Sequence, residues 1–210
     1  MPETGAPSGI IAIVRLRRER AVDEIARALV AGGVGAVEVT IDTPGALEAI
    51  GRWRDDGGAL VGVGTVRTPD HARRAIDSGA QFLVTPTTVS GVLAVARDAG
   101  VPIVPGALSP TEIDAAWQQG AAAVKVFPAD ALGGPAYVKA VQAPLPDVPL
   151  VPTGGVNAEN ARAYAALGCV GVGVGSALVD EGTVAAAHWD VLTDRASALQ
   201  AAWSAGLTAR

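Results

Sequence analysis

The chain is 210 residues long, half of them hydrophobic and 18% charged, with a net charge of −5. That length suits one domain with a sizeable core, and the acidic balance argues against non-specific nucleic-acid binding and calls for no membrane surface. A single cysteine, Cys169, excludes an internal disulfide and fits a reducing cytoplasm, and no apolar stretch could span a bilayer without Gly, Pro or charge interrupting it.

Residues 1–9 are expected to form a disordered tail, with residues 10–210 as one domain. The apolar run 10–14 is too short for a signal core, and the basic cluster Arg15-Leu16-Arg17-Arg18 follows it instead of preceding it. From there a strand–helix unit repeats. Apolar runs predict strands over 10–16, 36–41, 60–66, 81–86, 102–108, 123–128, 150–156 and 169–176, each followed by a helical stretch. Helical faces show at Val22, Ile25, Leu29 and Val30, and again at Ala72, Ala75 and Ile76. Thr68-Pro69 and Ser109-Pro110 read as helix starts, the second with Glu112 completing a capping box. Glycines at 33, 79, 100, 120 and 168 stand where helices end, the position at which a positive φ carries no Cβ penalty. Apolar strands alternating with helices mean a parallel sheet covered by helices, and eight like units predict an α/β, single-domain (β/α)8 TIM barrel. A doubly wound open sheet is the alternative, but no Gly-x-Gly-x-x-Gly turn follows the first strand.

Only two of the sixteen basic residues are lysines, and Lys125 lies inside an apolar strand, Ala123-Val124-Lys125-Val126-Phe127-Pro128. An ammonium ion buried without a partner is costly, so such a group tends to pair or to shed its proton. The amine form is a nucleophile suited to imine chemistry on a carbonyl. A lysine whose stem alone is buried, or one paired with a buried carboxylate, are the plainer alternatives.

Strand alternation sorts the neighbours. Ala123, Lys125 and Phe127 share one face, as do Ala36, Glu38 and Thr40, and Ile11, Ile13 and Arg15, and Val61, Val63 and Thr65. With the other faces apolar, Lys125, Glu38, Arg15 and Thr65 are expected to point to the barrel axis, Arg15 and Thr65 near the C-terminal strand ends where barrel enzymes keep their sites. Glycine-rich segments end strands seven and eight: Pro152-Thr153-Gly154-Gly155-Val156-Asn157 and Gly171-Val172-Gly173-Val174-Gly175-Ser176-Ala177. Loops there often hold phosphate in barrels, although glycines also simply relieve crowding in tight turns. His71 and His188 lie in helical contexts and make no ligand pair, and Trp53, Trp117, Trp189 and Trp203 read as packing or subunit-contact residues.

Glu38-Val39-Thr40, Gly64-Thr65-Val66, Lys125-Val126-Phe127-Pro128-Ala129, Pro152-Thr153-Gly154-Gly155-Val156 and Gly175-Ser176 occur in the order and spacing of the class I 2-keto-3-deoxy-6-phosphogluconate (KDPG) aldolases. That family also includes 4-hydroxy-2-oxoglutarate (KHG) and 2-dehydro-3-deoxy-6-phosphogalactonate aldolases. The resemblance runs from about residue 10 to 177. It implies a lyase in which Lys125 forms a Schiff base with the C2 ketone of a phosphorylated keto acid, releasing pyruvate and glyceraldehyde 3-phosphate. It further implies Glu38 as general acid/base, Thr65 at the pyruvate carboxylate, Pro86 and Phe127 as pocket walls, and backbone near Gly154, Gly155, Gly175 and Ser176 at the phosphate. A homotrimer without metal or other cofactor is the family habit.

One departure stands out: where many relatives have arginine after the Glu-Val-Thr-x run, this chain has Asp42. Arg15 is the natural replacement cation for the substrate carboxylate. Two other function classes share the same features: a sugar-phosphate isomerase or epimerase using Glu38 as base, and a non-catalytic phosphate binder.

Overall fold

The computed structural model describes residues 5–18, 22–56 and 58–209. Strands β1 (Gly9–Val14), β2 (Ala36–Thr40), β3 (Leu60–Gly64), β4 (Phe82–Val84), β5 (Ile103–Val104), β6 (Gly106–Ala107), β7 (Val124–Val126), β8 (Leu150–Pro152) and β9 (Gly171–Val174) alternate with helices. The helices are α1 (Val22–Ala31), α2 (Ala46–Asp56), α3 (Pro69–Asp77), α4 (Ser90–Asp98), α5 (Pro110–Gln118), α6 (Pro135–Gln142), α7 (Ala158–Ala166), α8 (Glu181–Ala185) and α9 (Trp189–Leu207).

All strand pairs are parallel, in one sheet of order β5-β4-β3-β2-β1-β9 and a second of order β6-β7-β8. β5 and β6 are two halves of one stave interrupted at Pro105, which has no N–H to donate to a ladder. The carbonyls of Ile103 and Pro105 still accept from Ala122 and Lys125 at 2.9 Å, binding this stave to β7. At the other seam Thr153 bridges Gly173, and the Val170 N–H donates to the Leu150 carbonyl at 3.1 Å. Eight staves therefore close into the expected (β/α)8 barrel.

The strands are shorter than their apolar runs, mostly at the C-terminal ends, because there the chain leaves the ladder to form loops around a cavity. β1 begins at Gly9, inside the segment expected as tail, since Gly9 pairs with Gly171 and donates to the Val170 carbonyl at 2.9 Å. Residues 1–4 of that expected tail lie outside the described residues.

Two apolar layers follow from the alternation. Ile11, Ala36, Phe82, Val84, Val104, Ala123 and Val151 fill the barrel interior, while Val14, Val37, Val39, Val124, Val126 and Val172 pack outward under the helices. The five glycines expected at helix ends all have positive φ, between 67° and 96°. Thr68 and Ser109 cap α3 and α5 as read from sequence, the latter through a capping box with Glu112. His188 is at the N-cap of α9 instead of inside a helix. α9 lies across α1 and α7 at close range: a Cβ at Gly32 would meet the Ala196 Cβ at 2.4 Å, and one at Gly206 the Arg162 carbonyl oxygen at 2.3 Å. Among the described residues no helix is long and apolar enough to cross a membrane.

β3 turns the opposite face inward from the one its alternation predicts. Val61 and Val63 of β3 pack outward with the helices, and the residues facing the axis are Gly62 and Gly64. A Cβ at Gly62 would meet the Phe82 ring at 2.5 Å, so the bulk at this level of the interior comes from β4. Extended alternation would then turn Thr65 outward as well. It does not, because Thr65 has a φ of 59°, in the left-handed region, and the chain swings its hydroxyl to the cavity.

Candidate active site

A cavity of about 840 Å³ opens at the C-terminal ends of the staves. Every residue expected at the site lines it except Glu38: Arg15, Thr65, Pro86, Lys125, Phe127, Gly154, Gly155, Gly175 and Ser176. Lys125 comes from the middle of β7, held in register by Gly106 on one side and Val151 on the other. It is 7% exposed, and its ammonium nitrogen stands 5.2 Å from the centroid of the Phe127 ring. That spacing suits a cation–π contact. Phe127, 39% exposed, forms the outer wall, and the Phe127–Pro128 peptide is cis.

Glu38 is 2% exposed and, unlike the others, does not line the cavity; it is paired in register with Ile13 and Gly62. Among the described residues its Oε1 has no hydrogen-bond partner. Burial pushes its carboxyl above the usual carboxylate range, against the opposing pull of the Lys125 and Arg15 charges. Gly64 makes the space: a Cβ there would stand 2.1 Å from Oε1. A mutual ion pair does not account for the two residues. Within 4 Å the ion pairs among the described residues are Arg27–Glu24, Arg52–Asp23, Arg97–Asp98 and Arg195–Asp180.

Across the mouth, the Arg15 guanidinium donates to the Thr65 hydroxyl at 3.1 Å, spanning the end of β2. Beneath that bridge the Thr43 hydroxyl accepts from the Leu16 N–H at 3.1 Å and bonds the Thr40 hydroxyl at 3.0 Å. The loop carrying Asp42 is thereby pinned to the ends of β1 and β2. Pro86 closes the β4 side. Thr85 below it donates to the Thr87 carbonyl at 2.7 Å and accepts from the Gly106 N–H at 3.3 Å, tying β4 to the interrupted stave.

The glycine segments after β8 and β9 face each other on the remaining side. Gly154 and Gly155 have φ of 91° and 76°. Asn157 caps α7 through the N–H groups of Glu159 and Asn160, and the Asn160 amide donates back to the Gly155 carbonyl at 2.9 Å. This loop is fixed by the helix it precedes. Gly175 has open space where a Cβ would stand, with nothing within 4 Å among the described residues.

Sequence reasoning did not single out Arg67, Thr87 or Thr153, which also line the cavity. Strand alternation gives no signal for Arg67, because the Val61–Val63 face that it continues points outward. A second cavity of about 370 Å³ lies outside the barrel between α1 and α2, against Asp23, Arg27 and Trp53, remote from Lys125. Among the described residues no group of three or more His, Cys, Asp or Glu could hold a metal.

A closed barrel that buries a lysine beside the cavity at its C-terminal mouth belongs, as a class, with the barrel enzymes. The KDPG and KHG aldolase family model matches residues 5–194, and the chain is a member of that family and hence a lyase. It is 40% identical over 185 residues to the 2-dehydro-3-deoxy-phosphogluconate aldolase of Treponema pallidum (strain Nichols), 88% of each chain being covered. It superposes on the structure described as native KDPGal with a TM-score of 0.87 at 32% identity, over 95% of this chain and 96% of that one. It also matches KDPG aldolase from Legionella pneumophila, solved with pyruvate captured as a covalent carbinolamine, with a TM-score of 0.83 at 30% identity over 93% and 96% of the two chains.

Proposed function

We propose that the protein cleaves 2-keto-3-deoxy-6-phosphogluconate to pyruvate and glyceraldehyde 3-phosphate through a Schiff base on Lys125. The observation that carries this is the placement of Lys125: a nearly buried amine on the cavity wall, without a salt bridge among the described residues, whose charge acts on the buried Glu38 carboxylate.

In the amine form Lys125 attacks the C2 ketone, and the resulting carbinolamine loses water to give an iminium ion. A base removes the C4 hydroxyl proton, the C3–C4 bond breaks, and its electron pair flows into the iminium to give an enamine while the aldehyde departs. Protonation of the enamine at C3 and hydrolysis return pyruvate and free Lys125. Glu38 is the proton carrier. Its raised pKa keeps it able to give as well as accept a proton closer to neutrality than an ordinary glutamate. Because it is buried and does not line the cavity, its exchange with substrate runs through a relaying water. Arg15 and Thr65 receive the C1 carboxylate as a charge-assisted pair, Pro86 and Phe127 bound the pyruvyl group, and the loops at Gly154, Gly155, Gly175 and Ser176 receive the phosphate.

The C4-epimeric galactonate substrate is the second reading, favoured by the likeness to the native KDPGal structure, and 4-hydroxy-2-oxoglutarate the third. Steady-state cleavage of all three under matched conditions tests the choice: the proposal expects the highest kcat/KM on the gluconate epimer, and a preference for either of the others overturns it. The reading extends to a cytoplasmic homotrimer, on the family resemblance. Light scattering on the purified chain should give three times the chain mass, and a monomer would contradict it.

A further inference from the structure

Among the described residues four charged side chains line the cavity: Arg15, Asp42, Arg67 and Lys125. Their sum has a consequence for binding. A phosphorylated keto acid brings a carboxylate at one end and a phosphate at the other, while Asp42 offsets one of the cations. Lys125 is committed to C2 once the imine forms. Without Arg67 the carboxylate end would offer one guanidinium, Arg15, against one carboxylate, Asp42, for no net attraction.

Arg67 is placed to change that. Val66 before it is fully buried and donates its N–H to the Val84 carbonyl at 3.1 Å, while Thr68 after it caps α3. The backbone at Arg67 is thus held between two anchors, and its side chain is exposed at the cavity. The stave order puts β3 on the opposite side of the ring from β8 and β9. An anion seated on the glycine loops is therefore across the mouth from Arg67, and the group within its reach is the other acidic end. Among the described residues Arg67 forms no ion pair within 4 Å, so its fork is available to a ligand.

Resting on the Schiff-base reading above, we propose that Arg67 is a further specificity-determining residue: it binds the C1 carboxylate together with Arg15 and Thr65, and compensates for the repulsion of Asp42. The arrangement demands an acid at C1. Ketones without a carboxylate gain nothing from Arg67, and 2-keto acids gain a second guanidinium contact.

The test is the pyruvate concentration that half-saturates borohydride trapping at Lys125, measured on wild type, Arg67→Ala, Arg67→Lys and Asp42→Asn, with hydroxyacetone as a carboxylate-free probe. Arg67→Ala should raise the half-saturating pyruvate at least tenfold and leave that for hydroxyacetone unchanged. Arg67→Lys should recover part of the loss, and Asp42→Asn should lower the requirement. In cleavage assays the Arg67→Ala loss should fall mainly on KM. Unchanged pyruvate saturation in Arg67→Ala, or an equal loss with both ketones, overturns the role of Arg67 while leaving the Schiff base intact. Wild-type protein that pyruvate does not label overturns the Schiff-base reading, and this proposal with it.

Discussion

The backbone of Gly64 and the carboxylate of Glu38 are so close that a Cβ on the glycine would stand 2.1 Å from Oε1. Glu38 has its place in the barrel only because β3 presents no side chain there. Gly64→Ala should push the carboxylate out of line and lower kcat by roughly 10²–10⁴-fold, the range expected for losing a general acid/base. Gly62→Ala makes a useful contrast, since its Cβ would strike the Phe82 ring at 2.5 Å. That variant should lose about 1–3 kcal/mol of stability from overpacking with a smaller loss of turnover. Steady-state cleavage with thermal melts separates the two effects.

Burial raises the Glu38 carboxyl above its ordinary value of 4.5. Between that value and the raised one, the folded chain holds a proton that the unfolded chain has released. Stability tied to Glu38 is then complete below pH 4.5 and lost as pH rises through the raised folded value. Glu38→Gln removes that loss. Its melting temperature relative to wild type should climb with pH over this window while kcat falls by roughly 10²–10⁴-fold. A difference that is flat, or that falls with pH, would contradict the assignment.

Several site features were legible before any coordinates because they rest on strong local signals. The five glycines at helix ends, the caps at Thr68 and Ser109, and the placement of Lys125 and Glu38 on inward faces all follow from alternation and capping rules. β3 escaped because its inward residues are glycines. Val61, Val63 and Thr65 alternate as well as any inward set, and only the bulk of Phe82 and Glu38 on neighbouring staves shows which face has room. Thr65 then arrived at the cavity through a backbone turn that alternation does not encode. The division of one stave at Pro105 is a similar case: the apolar run continues, but the ladder does not. Arg67 carries no local signal of this kind, because its meaning depends on what stands across the mouth.

Thr65 is held at a φ of 59°, a conformation that costs a non-glycine residue about 1–2 kcal/mol. Thr65→Gly should therefore be at least as stable as wild type by chemical denaturation, yet bind pyruvate more weakly, because Arg15 loses its 3.1 Å partner at the cavity. Lower stability would mean that the hydroxyl, and not ligand binding, justifies the strain.

Gly175 lines the cavity and, among the described residues, has nothing within 4 Å of the place a Cβ would take. Gly175→Ala should melt like wild type. Its KM for the phosphorylated substrate should rise several-fold, with pyruvate trapping at Lys125 unaffected. Weakened pyruvate trapping would place the loop at the wrong end of the substrate.

The most direct test of the central claim is mass spectrometry of the protein after borohydride reduction in the presence of pyruvate. Lys125 and Lys139 are the only lysines, and Lys139 lies on α6, outside the cavity. A single 1-carboxyethyl adduct on the peptide carrying Lys125, absent from a folded Lys125→Ala variant, is the predicted result. Unlabelled protein, or a label at Lys139, would contradict Schiff-base catalysis at Lys125.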